Sequence, residues 1–421
     1  MYKRTVLKNG IRVVSCEMPQ MRSVSFGVWF NVGGRFENKA NKGVSHFLEH
    51  ICFKGSRRFS GDRIKQIIEG VGGTLNAFTS EEFTCYLAKV LNKHLERSFG
   101  VIADMVLRPL IDPKEVEKER LVILEEIRMY RDHPQSYVYE LLDELLWPGH
   151  PLGMNLAGTF QTVKAMKAKD IADFRGEFYS SRNIVIAAAG GVKHDKLAQM
   201  AEKWFGSLPE SSPNQSPPVV PGRIKSENIF FKRTEQTHIA LAVHSLRRGH
   251  PDRHALMLIH IILGANMSSR LFDELREKRG LAYEIGTQIK QFKDSGAFIV
   301  HAGVDNLRPA EAIEIILKEL RKIKKHRVGL SEFRRAKDFY LGQLTMGLEQ
   351  TMEEMIYVGE QTTSLDKIKT PSQIIRELSR VKIEDLRRVA GDIFRKENLS
   401  LALIGPIQGG DKAGIKERMV L

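Results

Sequence analysis

The chain has 421 residues, 42% hydrophobic and 28% charged, which is enough for two or three domains with real cores and excludes disordered or fibrous architectures. Its 65 Lys and Arg against 51 Asp and Glu leave a formal charge of +14, yet acids are interleaved with the bases and no G-x-x-x-x-G-K-[ST] loop or nucleic-acid recognition spacing accompanies them. Nucleic acid is therefore not an expected partner, and neither is a membrane, because no stretch reaches 18 uninterrupted apolar residues.

The first half opens with strand-like IRVVSC and VSFGVWFNVG, followed by an apolar helix VSHFLEHICFKG and a helix GDRIKQIIEGVGG. Strand patterns LNAFTS and FTCYLAKV come next, then helix HLERSFGVIADMVL and a long helix from Pro113 to Arg131. The segment Pro209 to Arg223 concentrates proline, serine and glycine without a helical or strand period and reads as a linker. The second half repeats the order: strand HIALAVHS, helices HALMLIHIILG and SRLFDELREKRG, strands LAYEIGTQIKQF and GAFIVHAGV, then helices PAEAIEIILKELRKIK and GLSEFRRAKDFYLGQL. The expectation is an α+β protein of two similar domains, 1–208 and 226–421 around a linker at 209–225. Each domain is a mainly antiparallel sheet covered by helices on one face. Cys16, Cys52 and Cys85 form no C-x-x-C pair, and the N-terminal residues lack the apolar core of a secretory signal. A soluble protein of the reducing cytoplasm is expected.

The sharpest chemical feature is His46-Phe47-Leu48-Glu49-His50. At about 100° per residue, His46, Glu49 and His50 fall on one side of a helix, and Val44, Phe47, Leu48 and Ile51 make the adjacent apolar stripe. Two imidazoles one turn apart can address one ion. Zinc accepts neutral imidazole nitrogens and, in a catalytic site, takes three protein ligands and a water. A carboxylate one turn from the first histidine can then serve as general base; these residue types do not separate zinc from manganese or cobalt.

A third ligand is expected from a carboxylate on another element. The helix that begins Asp112-Pro113 carries Glu119, Glu125 and Glu126. Glu119 and Glu126, seven apart, share an inward face with Val122 and Ile123 and are candidates for a ligand and its supporting acid, whereas Glu125 lies about 100° around the helix. His250 and His254 have ligand spacing, but Pro251 starts a helix between them and no suitable acid follows, so they read as surface or capping groups. Cys52 reads as core and the glycines of EGVGGTLNA as turn punctuation.

HFLEH followed by ERLVILEEIRM resembles the pitrilysin/insulinase family of inverzincin zinc metallopeptidases, especially its small processing-peptidase-like branch, and the resemblance spans essentially the whole chain. It implies the processing-peptidase/LuxS-like metallohydrolase fold and a zinc endopeptidase acting on peptides or unfolded polypeptide. One zinc per chain would be held by His46, His50 and Glu126, with Glu49 activating the zinc-bound water and Glu119 in support. Arg276 and Tyr283 in LREKRGLAYEI resemble the arginine–tyrosine pair with which such enzymes hold substrate and stabilise the tetrahedral intermediate. Asn76, Ala77, Phe78 and Thr79 resemble the edge strand onto which the peptide is added. Family members enclose substrate in a chamber of four such domains, so a homodimer, or a heterodimer with a homologous chain, is implied, with Arg276 and Tyr283 serving the partner's zinc site. The alternative is a non-catalytic scaffold or assembly subunit of the same fold.

Overall fold

The computed structural model describes residues 2–220 and 227–419. Two sheets organise it. The first contains β1 (Tyr2–Val6), β2 (Arg12–Glu17), β3 (Ser23–Phe30), β4 (Thr74–Thr79), β5 (Thr84–Leu91) and β6 (Ile184–Gly190), in the order β1-β2-β6-β3-β5-β4. The second contains β7 (Glu227–Phe231), β8 (Thr237–His244), β9 (Ala282–Gln291), β10 (Gly296–Val304) and β11 (Leu399–Gly405), in the order β7-β11-β8-β10-β9. Neighbours are antiparallel except β2 with β6 and β7 with β11. Strand for strand the second sheet repeats the first without a counterpart of β1. The expected α+β class, with two similar and mainly antiparallel units, is what the chain adopts.

One face of the first sheet, with Val13, Phe26, Val28, Tyr86 and Ile186, packs under the helices of its own half, and one face of the second, with Ile239, Leu241, Phe298 and Leu401, does the same. The expectation of helices on a single face needs correction. The opposite face of the first sheet buries Val14, Trp29, Val185 and Ala187 beneath Met355 and Val358 of the helix Thr351–Leu365. The opposite face of the second buries Ala240, Ala242, Ala297 and Ala402 beneath Val138, Leu142 and Leu145 of the helix Pro134–Leu146. Each sheet thus takes one helix encoded in the other half of the sequence. Small side chains let these helices approach: a Cβ on Gly359 would lie 2.4 Å from the Trp29 ring.

The compact units are accordingly Met1–Arg128, Asn155–Pro217 and Thr345–Thr370 for the first, and Met129–Met154, Pro218–Leu344 and Pro371–Leu421 for the second. A single cut at 209–225 does not describe them, because two helices follow the apolar face they cover and not their place in sequence. Residues 209–220 form neither helix nor strand, and the remainder of the expected linker, 221–225, lies outside the described residues. The first part of that segment is fastened within its unit: Asn214 exchanges hydrogen bonds of 2.7 and 2.8 Å with Asn183, and Arg35 donates to the Pro217 carbonyl at 2.8 Å. Strands β6 and β11 escape a period-2 reading because every residue in both is buried. Among the described residues no helix is long and apolar enough to cross a membrane.

Candidate metal centre

The HFLEH sequence occupies the helix Val44–Cys52, which buries Val44, Phe47, Leu48, Ile51 and Cys52 and leaves His46, Glu49 and His50 on its partly open side. Its first turn is held by a buried carboxylate. Glu37 accepts from the Gly43 and Ser45 amides at 3.0 and 2.8 Å, and Lys42 lies 3.1 Å from it and donates to the Gly34 carbonyl at 3.0 Å. An anion on the amides of a helix start satisfies groups that have no partner within the helix and opposes the dipole favourably. Gly43 enters the helix at φ 95°, and a Cβ there would come within 2.6 Å of the Ala157 carbonyl oxygen.

The second contributing element is the helix Pro113–Asp132, which buries Val116, Glu119, Ile123, Leu124 and Ile127. Val122, expected on the inward face, is 49% exposed. Glu126 turns toward the histidines, with its Oε2 3.7 Å from His46 Nε2 and 3.8 Å from His50 Nε2. One donor atom from each of these three residues lies within 4.8 Å of the others. Glu125 points to solvent and pairs with Arg128. Glu119, expected as a supporting acid, has its Oε2 3.0 Å from His50 Nδ1, and its other oxygen is paired with Lys54. Sequence reasoning did not single out Lys54, which lies in the turn just past the end of the helix.

These separations test whether the residues fit a zinc ion. They are too long for hydrogen bonds, and near the roughly 3.3 Å that separates tetrahedral ligand atoms held about 2.0 Å from a shared ion. The protonation tendencies of the three differ. Burial, and then the neighbouring His50, push the His46 pKa down to about 3, so this imidazole is neutral at ordinary pH, and its buried Nδ1 has no hydrogen-bond partner. Burial opposes charge on His50, but Glu119 hydrogen-bonds to it and Glu126 lies close, so its pKa is raised. Burial lifts the pKa of Glu126, with His50 opposing. Two imidazoles and a carboxylate, one imidazole backed by a second carboxylate, form a donor set that suits zinc.

Glu49 sits beside this set. Burial raises its pKa, and a hydrogen bond from Thr79 Oγ1 to Oε2, at 2.5 Å, works against that rise. Thr79 ends β4, the edge strand of the first sheet, whose outer side is unpaired among the described residues. The four residues of the expected substrate strand differ in what they do. Asn76 is exposed and its Oδ1 accepts from the Ala77 amide at 2.9 Å, Ala77 packs on the main core, and Phe78 stands edge-on to Trp29 with ring centroids 5.5 Å apart.

Arg276 and Tyr283 belong to the second unit, where β9 is likewise the edge strand. Gly303 pairs with Glu284 but Val304 with Ala282, so Tyr283 is the extra residue of a β-bulge, which explains why it is 75% exposed. Arg276, from the π-helical turn Phe272–Glu277, donates to the Tyr283 carbonyl at 3.0 Å and lies over its ring at 5.2 Å. Both line a cavity of about 500 Å³ with Gln236, Gly303 and Asn306. Of the expected decoys, Cys52 is buried and His250 accepts from the Asp252 amide as a local cap. His254 corrects the surface reading: it is 4% exposed, 2.9 Å from Glu377 and 3.2 Å from the Tyr340 hydroxyl.

Known proteins resemble this chain in sequence and in fold. Residues 12–160 match the family profile described as insulinase, peptidase family M16, and residues 165–340 match the one described as the peptidase M16 inactive domain. An uncharacterized zinc protease of Bacillus subtilis is 35% identical over 407 residues, covering 96% of this chain and 98% of that protein. One of Streptomyces coelicolor is 35% identical over 416 residues, covering 96% and 90%. Among solved structures, a protease from Helicobacter pylori superposes with a TM-score of 0.91 at 24% identity, over 96% of this chain and 99% of that one. A peptidase M16 inactive-domain protein from Pseudomonas fluorescens gives 0.90 at 18% identity, over 97% and 99%. With the shared fold and this extent of sequence identity, the chain belongs to the insulinase family of peptidases, M16.

Proposed function

We propose that the chain is a zinc-dependent endopeptidase that cleaves peptides or unfolded polypeptide segments. The observation that carries the reading is the convergence of His46, His50 and Glu126 beside the half-buried carboxylate of Glu49. Zinc held by those three side chains would polarise the scissile carbonyl and acidify the attacking water. Glu49, made more basic by burial, accepts a proton from that water and delivers it to the leaving amine. His46 stays neutral, and Glu119 fixes the His50 ring through Nδ1, leaving Nε2 on the side of Glu126. The open edge of β4 suits main-chain pairing with an extended peptide, a mode that tolerates many sequences. The Tyr283 hydroxyl and the Arg276 guanidinium are the donors proposed for the carbonyl oxygen as it gains charge, acting on the zinc site of a partner chain in a dimer. A cytoplasmic setting goes with this reading, since the thiols of Cys16, Cys52 and Cys85 are free.

A non-catalytic scaffold is the second reading, and the inactive-domain description matched by residues 165–340 is its support. Against it, the described His/Cys/Asp/Glu groups able to hold a metal reduce to one, and that one lies in the first unit, ahead of those residues. Cleavage of a peptide library by wild type and Glu49→Gln, with bound metal measured on the same samples, separates the two. The peptidase reading expects stoichiometric zinc in both proteins and at least a thousandfold lower cleavage by the variant, within the roughly 10²–10⁴-fold that general acid–base groups contribute. Absence of zinc together with absence of Glu49-dependent cleavage would establish the scaffold.

A further inference from the structure

Thr79 stands in the strand proposed to receive substrate, but its side chain is turned inward and engaged. Its hydroxyl donates to Glu49 Oε2 at 2.5 Å, the short distance of a charge-assisted hydrogen bond. Three features hold that hydroxyl still. Thr79 pairs with Thr84 in the β4–β5 ladder, and Thr84 is itself tied to the Val32 carbonyl at 3.0 Å. The preceding Phe78 is wedged against Trp29 and Phe83. A β-branched side chain in a strand has few χ1 choices. Glu49, by contrast, ends a flexible side chain, and Thr79 is its one described hydrogen-bond partner.

Resting on the peptidase reading above, we propose that Thr79 is a positioning residue for the base: its hydroxyl selects the carboxylate orientation in which Glu49 Oε1 accepts a proton. The strand that pairs with the peptide backbone would then also align the base, placing scissile bond and carboxylate on one rigid element. A threonine serving only as a strand residue could be replaced by valine, of nearly the same shape and with an equal or better strand preference, without loss of rate.

The test is Thr79→Val and Thr79→Ser in the full-length protein with zinc bound. The expected result for Thr79→Val is a fall in kcat of about ten- to a hundredfold with KM unchanged, the size of loss that misplacing a reacting group by about an ångström produces. Zinc content and Tm should match wild type, and Thr79→Ser should recover most of the rate. On the non-cleaving Glu49→Gln background, adding Thr79→Val should leave the Kd of a bound peptide unchanged. The inference is overturned if Thr79→Val keeps its kcat, if its loss appears in KM, peptide affinity, zinc content or Tm, or if serine fails as valine does. Absence of bound zinc and of any Glu49-dependent cleavage in the wild-type protein would instead remove the peptidase reading itself, so the two failures are distinguishable.

Discussion

At the scale of single residues, the centre is asymmetric in how it handles protons. His46 is held neutral by burial, down to a pKa of about 3, while Glu119 raises that of His50 above its ordinary value. Metal binding needs both imidazoles neutral, so above the raised His50 value no proton competes, and below it one proton must leave for each ion bound. Zinc affinity should therefore fall about tenfold per pH unit just below that point, and more steeply at lower pH where Glu126, whose pKa burial also raises, takes up a proton. Replacing Glu119 with Gln removes the charge that favours protonated His50, so the onset of the fall moves to lower pH. The lost orientation should also weaken binding at pH 8 by about ten- to a hundredfold. Competition with a chelator across pH 5.5 to 8 reads both effects, and an onset that stays where it is in Glu119→Gln would contradict the part assigned to Glu119. Of this site, the H-x-x-E-H spacing and the choice of Glu126 over Glu125 are legible in sequence, because helical periodicity alone sets which side chains share a face. Lys54 on Glu119 and Thr79 on Glu49 are not, because those partners meet only when separate elements pack.

At the scale of elements, each candidate side chain depends on a local device that fixes its support. The histidine helix is pinned by Glu37 and by the left-handed turn at Gly43. Alanine at position 43 would have to adopt φ 95° and place its Cβ 2.6 Å from the Ala157 oxygen. Gly43→Ala should thus lower stability by about 1–3 kcal/mol, seen as a lower denaturant midpoint with an unchanged slope, and an unshifted midpoint would show that the turn relaxes freely. Tyr283 is placed by a different device, the bulge between β9 and β10, with Arg276 fastened to its carbonyl from a π-helical turn. Neither irregularity leaves a periodic trace in LREKRGLAYEI. A bulge is a mismatch between two strands, and one strand's sequence does not record it.

At the scale of the molecule, the duplicated topology and the exchange of helices are one arrangement. Each sheet is apolar on both faces, and a half-chain supplies helices for only one of them, so Pro134–Leu146 and Thr351–Leu365 complete the sheets of the opposite halves. If the chain works as a dimer in which Tyr283 serves its partner's zinc site, chains carrying Glu126→Ala and chains carrying Tyr283→Phe, each with little activity alone, should recover activity when mixed. Random exchange makes half of the dimers mixed, each with one intact site, so about a quarter of wild-type activity is expected. No recovery after demonstrated subunit exchange would place both functions within one chain.

What the sequence determined by itself was local and periodic: helices and strands with a clear amphipathic repeat, the repeated order of elements in the two halves, and the facing of His46, Glu49 and His50 on one helix side. These follow from 3.6- and 2-residue periods, which need no knowledge of distant contacts. Tertiary structure alone decided which helix covers which sheet face, that Phe78 is wedged against Trp29 while Thr79 turns to Glu49, and that Tyr283 stands out on a bulge. All of these are settled by long-range packing of apolar faces and by hydrogen bonds between elements far apart in sequence, which no local window contains.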